Sequence, residues 1–291
     1  MRSVNTPFDI IEKLQHSLIQ HGPKSDRIYL MKLTPEDYPS IIPALRDLAR
    51  DNRYGKIFAK VPAWAREEFA AAGFVHEASV PGYYHGEVDA LFLSAFPDPT
   101  RARAGEQTRA TIADILRIAQ EKAASPLELP PSPYTLRRLT PDDAHALTIL
   151  YGKVFESYPF PIFEREYIAR TMEHDSIAYS GAFDDSGTLI AASSAEMDKT
   201  AENAEMTDFA TLPQGHGHNT ALHLLRLMEV DMQKRGMKVL YTIARANSTG
   251  MNVTFSRAGY AFTGTLMNNT NIGGSIESMN VWFRRLGMGE K

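Results

Sequence analysis

Residues 212–229, LPQGHGHNTALHLLRLME, open with glycines and histidines and run on as an apolar helix. Two chemistries compete for that composition. His216, His218 and His223 could ligate a metal ion, or the glycines could let a strand-to-helix turn hold an anion with its backbone. Metal-binding histidines on a helix favour i, i+4 spacing on one face. His216 and His218 instead straddle Gly217, and residues 212–228 contain no aspartate or glutamate to complete a ligand set. A turn of the second kind leaves the first N–H groups of the helix unpaired and aimed at a ligand. Glycine turns before helices are common, so the flanking sequence has to decide. The segment feeding the turn, AEMTDFATL, carries two candidate catalytic carboxylates, Glu205 and Asp208. In a regular strand their odd spacing sets them on opposite faces.

The elements that must position these residues follow from periodicity. AEMTDFATL reads as a strand, residues 218–235 as a helix and KVLYTIAR as a buried strand; a short helix then ends at RAGY, and TGTLMNN and SMNVWFRR form a last strand pair. Upstream, YTLRRL is a strand, and TPDD opens a helix with Thr140 as cap and Asp142 and Asp143 complementing the dipole. A second helix lies near residues 164–174, followed by strands SIAYSGAF and LIAASSAEM joined at DDSG. Helical spacing also covers residues 104–124, before the prolines at 126, 130, 131 and 133 stiffen a linker. The expected organisation is therefore an N-terminal domain over residues 1–125, a linker over 126–133 and a second domain over 134–291.

The two domains echo each other. Residues 56–96 and 238–286 both give strand, short helix, Phe-x-x-Ala-Gly-aromatic and two strands, with Phe69, Ala72, Gly73 and Phe74 answering to Phe255, Ala258, Gly259 and Tyr260. RIYLMKLTPEDY stands where EMTDFATLPQGHG stands in the second copy. At the turn, Thr34-Pro35-Glu36-Asp37 replaces the glycines, and carboxylates at a helix start repel an anion. The first copy keeps the scaffold and lacks the cradle.

Bulk properties narrow the partners. The 291 residues are 43% hydrophobic and 23% charged, with a net charge of -4 and no cysteine. Nothing favours nucleic acid or an acidic membrane, and thiolate chemistry is excluded. No apolar run is long enough to span a bilayer, and the amphipathic N-terminus lacks a signal-peptide core. A cytoplasmic protein that acts on a small molecule is expected, with a homodimer possible.

Gln214-x-x-Gly217-x-Asn219 resembles the pyrophosphate loop of the GNAT acetyltransferases, and VLYTIAR, Asn247, Ser248 and FSRAGY resemble that family's second coenzyme A motif. DRIYLMKL, YGKIFAKVP, ESYPFPI and GTLMNNTNIGGSIESMNVWFRRL are similar to the β-lysine N-acetyltransferases over nearly the whole chain. The resemblance implies an α/β (α+β) fold: a GNAT-like mixed sheet flanked by helices, preceded by a divergent GNAT-like half domain. It implies acetyl-CoA as donor, no metal, and acetylation of the side-chain amine of β-lysine in compatible-solute synthesis. Alternatives are another small amine, such as lysine or a polyamine, or a non-catalytic acetyl-CoA sensor.

By the same resemblance, Gln214, Gly215, His216, Gly217, His218, Asn219, Asn247 and Ser248 hold the cofactor. Backbone N–H groups at Phe209, Ala210 and Thr211 hold the oxyanion, and Glu205 is the preferred base. Asn219 departs from the small residue usual at its position and could instead cap the helix. Phe255 stands at the cofactor where many relatives place an acidic tyrosine, and it cannot donate a proton. Tyr241 is either a substitute or a buried strand residue. For the substrate, the candidates are Glu156 and Tyr158 in the aromatic-proline loop, with Asn268, Asn269, Asn271 and Glu277 near the C-terminus. An NNTN cluster serves turns as readily as ligands.

Overall fold

In RIYLMK and KIFAKVP, alternate residues are apolar on both faces, so both strands must be covered on two sides. The computed structural model shows how; it describes residues 9–124, 129–158, 160–272 and 274–287. In the first half, β1 (Ile10–Leu14), β2 (Ser17–Gly22), β3 (Arg27–Lys32), β4 (Lys56–Pro62), β5 (Val75–Tyr84) and β6 (Val88–Ala95) form a six-stranded sheet in the order β1-β2-β3-β4-β6-β5. Ile28, Leu30, Ile57, Ala59 and Val61 pack with Ile41, Ile42 and Leu45 of α1 (Ile41–Asn52) and Phe69 of α2 (Arg66–Ala71). Tyr29, Phe58, Tyr83 and Phe92 leave by the other face and enter a core shared with the second half.

That second half contains β7 (Thr135–Arg138), α4 (Ala144–Val154), α5 (Arg165–Glu173), β8 (Ile177–Phe183), β9 (Leu189–Asp198), β10 (Asn203–Thr211), α6 (Thr220–Lys234), β11 (Val239–Arg245), α7 (Thr249–Arg257), β12 (Ala261–Ile272) and β13 (Ser275–Arg285). Its sheet runs β7-β8-β9-β10-β11-β13-β12. Removing β7 leaves the order of the first sheet, with β10 and β11 parallel as β3 and β4 are. The repeat extends to detail. Phe69 and Phe74 meet edge-on at 5.0 Å, Phe255 and Tyr260 at 5.1 Å, and both helices end on a left-handed glycine, Gly73 (φ +78) and Gly259 (φ +84). Only glycine takes that conformation without a Cβ penalty.

The halves are stitched reciprocally. By register, Arg27 occupies in β3 the place of Asn203 in β10, and Tyr29 that of Glu205. Arg27 Nη1 donates to the Asn269 carbonyl at 2.8 Å, and Asn203 Nδ2 donates to the Tyr83 carbonyl at 3.1 Å. Each bond runs from an inner strand of one half to the matching outer strand of the other. Lys56, fully buried, adds donations to Glu77 at 2.8 Å and the Met267 carbonyl at 2.7 Å.

One local expectation shifts. The helix at residues 104–124 is α3 (Glu106–Ala123), but it packs on α7, and Ala119 joins the core of the second half. β1 and β2 turn at Gln15 and His16 without glycine or asparagine. Asp37 holds that turn from afar, accepting from the His16 N–H at 2.9 Å and the Ser17 hydroxyl at 2.5 Å. Of the linker, residues 125–128 lie outside the described residues.

At Gly264 in β12 the backbones of the two halves approach so closely that a Cβ would overlap the Glu77 carbonyl oxygen. Gly264→Ala is therefore expected to lower stability by about 3 kcal/mol through overpacking, measured by urea unfolding.

Candidate active site

β10 and β11 pair only from Asn203–Val239 to Glu205–Tyr241, although both strands continue. Beyond Glu205 they part, and the edge of β10 that faced β11 has no partner strand. The Glu205 carboxyl sits at this fork, with the Tyr241 hydroxyl and the Ile243 N–H beside it. Burial pushes its pKa above the ordinary carboxylate range, while Lys60 and these donors pull the other way.

The expected opposition of Glu205 and Asp208 does not hold. Pairing of β10 with β9 slips between Thr207 and Ala210, and Asp208 has φ +54. Such a bulge resets the strand's alternation. Asp208 therefore turns to the same side as Glu205, where it accepts from the Tyr158 hydroxyl and from Ser194 Oγ at 2.5 Å. Glu196 on β9 joins them and makes no hydrogen bond or ion pair among the described residues. Burial and the fields of Asp208 and Glu205 drive its pKa well above the usual range, since carboxyls this close resist joint ionisation.

Glu205, Glu196 and Tyr158 face a cavity of about 570 Å³ between the two sheets. The second half contributes Glu196, Glu205, Tyr158, Tyr167, Tyr241, Asn269 and Thr270; the first contributes Arg27, Tyr29, Phe58, Lys60 and Tyr83. Lys60 Nζ donates to the Tyr83 hydroxyl at 2.9 Å, and the Tyr83 ring lies 5.4 Å from the Tyr241 ring. These contacts lead from Lys60 towards Glu205 across the halves. Burial opposes the Lys60 charge, but Tyr29, Tyr83 and Glu205 together hold its proton on.

At the glycine turn, a Cβ on Gly215 would meet Thr211 Cγ2 at 2.8 Å and Ile190 Cγ2 at 2.9 Å, so the turn lies flush on the sheet. Gly217 (φ +81) and Asn219 (φ +54) are both left-handed. Asparagine is among the few residues that tolerate this conformation, which accounts for Asn219. Its side chain does not cap α6. The N–H groups of Gly217, His218 and Asn219 find no acceptor among the described residues, and α6 adds its own unpaired donors. The Gln214 carbonyl accepts from Tyr134 at 2.9 Å.

The histidines diverge. His216 contacts the Thr211 carbonyl at 3.2 Å, His218 lies edge-on to Tyr134 at 5.8 Å, and the His223 ring lies near the Pro130 carbonyl. No cluster of three or more His, Asp or Glu poised for a metal occurs among the described residues.

Other sequence candidates fall away from the cavity. Glu277 is held by Arg245 through two bonds of 2.6 and 2.9 Å. Asn268 (φ +43) turns outward to the Arg101 and Arg103 carbonyls. Asn271 accepts weakly from Ser157 at 3.4 Å, and Glu156 is exposed beside Gly274. Phe255 has no exposed surface and packs on Phe209 and Tyr260, as its repeat partner Phe69 packs on Phe74. Ser248 caps α7 by accepting from the Met251 N–H at 3.4 Å, and Asn247 is exposed at the same corner.

A mixed sheet with splayed central strands, a glycine turn at the fork and a duplicated scaffold makes this a GNAT-type acetyltransferase fold. No protein-family model matches the chain. Curated relatives do: a β-lysine N(6)-acetyltransferase from Methanococcus maripaludis is 36% identical over 94% of this chain and 98% of its own length. Another, from Methanosarcina mazei, is 33% identical over 86% and 98%, and the N-acetyltransferase YodP of Bacillus subtilis is 33% identical over 77% and 78%. Among solved structures, a phosphinothricin acetyltransferase from Sinorhizobium meliloti in complex with AcCoA aligns with 54% of this chain and 90% of its own, at 17% identity and a TM-score of 0.48. The chain belongs to the β-lysine N(6)-acetyltransferase family, whose donor is acetyl-CoA.

Gly217 has open space around it but a backbone that resists a side chain. Gly217→Ala should cost about 1–2 kcal/mol of strain at the turn and weaken acetyl-CoA binding by roughly tenfold in calorimetric titration.

Proposed function

We propose that the protein transfers the acetyl group of acetyl-CoA to the terminal amine, N6, of β-lysine. The pyrophosphate rests on the turn at residues 214–219, the thioester enters the fork between β10 and β11, and the amine approaches from the cavity. The position of Glu205 carries this reading: its carboxyl stands where the fork and the cavity meet.

An amine with a pKa of ~10.4 resists deprotonation at pH 7 by roughly 4–5 kcal/mol, so a base is worth having. Glu205 takes that proton, directly or through a water. The amine nitrogen attacks the thioester carbonyl, and open N–H groups of β10 near Phe209, Ala210 and Thr211 receive the charge on oxygen. The carbon–sulfur bond then breaks, coenzyme A leaves as a thiolate and the adduct nitrogen gives its second proton to that thiolate, directly or through water; the thiol has a pKa of only ~8.5, so no strong acid is needed. Burial keeps the proton on Tyr241. Asp208 acts as a positioning residue, tying Tyr158 to the bulge.

Incubation with acetyl-CoA and β-lysine should release free thiol, and Glu205→Gln should lower kcat by at least about 100-fold. Because burial raises the Glu205 pKa, the base is present above that pKa and lost as pH falls through it. The acid limb of kcat/KM should accordingly lie above ~4.3, the ordinary glutamate value. Full turnover in the variant would remove Glu205 as base; absence of thiol release would remove β-lysine as substrate.

A further inference from the structure

Arg27 is only 5% exposed, lines the cavity, and makes no ion pair among the described residues. One of its nitrogens is spent on the Asn269 carbonyl, while Nε is buried without a partner. Two more orphans lie on the same cavity wall. Asn269, 2% exposed, has an unpartnered amide oxygen, and Thr270, 6% exposed, an unpartnered hydroxyl. An amide's two ends are interchangeable in such a fit, so Asn269 can present its NH2 group. Buried polar groups without partners are costly, and three converging on one cavity wall mark a place built for a ligand.

The sign of that ligand follows from the donors. Arginine, an amide NH2 and a hydroxyl all donate, and a guanidinium fork matches a carboxylate. Burial brings the Arg27 pKa down to about 10, which leaves it charged at neutral pH. Its guanidinium lies 5.4 Å from the Tyr29 ring, and Lys60 Nζ lies 6.0 Å from the same ring. Lys60 is the cation whose field reaches Glu205, which leaves Arg27 free for another anion.

We propose that Arg27, Asn269 and Thr270 form the subsite for the substrate's carboxylate, so that the first half of the chain selects an amino acid over a plain diamine. This rests on the acetyl-transfer reading above. The substrate lies with its carboxylate at Arg27 and its reacting amine at Glu205. The half without a phosphate cradle supplies the charge that reads the end of the substrate remote from the chemistry.

The test compares kcat/KM for β-lysine with that for 1,5-diaminopentane, which has no carboxylate. In Arg27→Met the ratio should fall by at least about 30-fold, mainly through KM for β-lysine, with partial recovery in Arg27→Lys. Thr270→Val guards against a misfolded Arg27 variant. It removes an unpaired buried hydroxyl, so it should raise the melting temperature while lowering the ratio about fivefold. If wild-type protein acetylates β-lysine but both variants keep the wild-type ratio, the carboxylate subsite is wrong and the enzyme assignment stands. If wild-type protein acetylates no β-lysine, the assignment fails and the subsite with it.

Discussion

The parting of β10 from β11 is the constraint on which the rest depends. A parallel pair stays together while each strand satisfies the other's backbone groups. Here the Glu205 carboxyl stands at the last pair, beside Tyr241 and Ile243 of the neighbouring strand. On the reading proposed above, the group at the parting is the one that takes the proton. The bulge at Asp208 keeps β10 from closing again, and Tyr158 and Ser194 lock it.

Duplication supplies the other wall. Because both sheets expose the same face, the strand position that holds Glu205 in one half holds Tyr29 in the other, and each borders the common cavity. Freed of cofactor chemistry, the first half carries aromatic rings and two cations there. The second keeps the carboxyls. A dipolar cavity results from two copies of one scaffold that have diverged in charge.

What could be read from sequence was local. The glycine turn, the Phe-x-x-Ala-Gly repeat and the succession of strands and helices were legible because short spacings encode them. Asp208 was misplaced because a bulge breaks the period-two rule, and no residue type announces one. Glu277 and Asn268 sit close in sequence to Asn269, yet Arg245, Arg101 and Arg103 claim them. Phe255 follows its repeat partner into the core. Arg27, Lys60, Glu196 and Thr270 went unseen because their neighbours are remote in the chain. A signal did exist in KIFAKVP: Lys56, Phe58 and Lys60 alternate with Ile57, Ala59 and Val61, so a strand covered on both sides carries lysines on one of them.

The turn after β3 retains its place in the first copy, but its glycines have become Pro35, Glu36 and Asp37, and Asp37 is tied back to the β1–β2 hairpin. Among the described residues, only the second of the two turns carries left-handed positions, at Gly217 and Asn219. The chain is therefore twofold in architecture, while the glycine turn is kept in one copy of the scaffold. On the reading proposed above, turnover in each polypeptide is then the work of one centre.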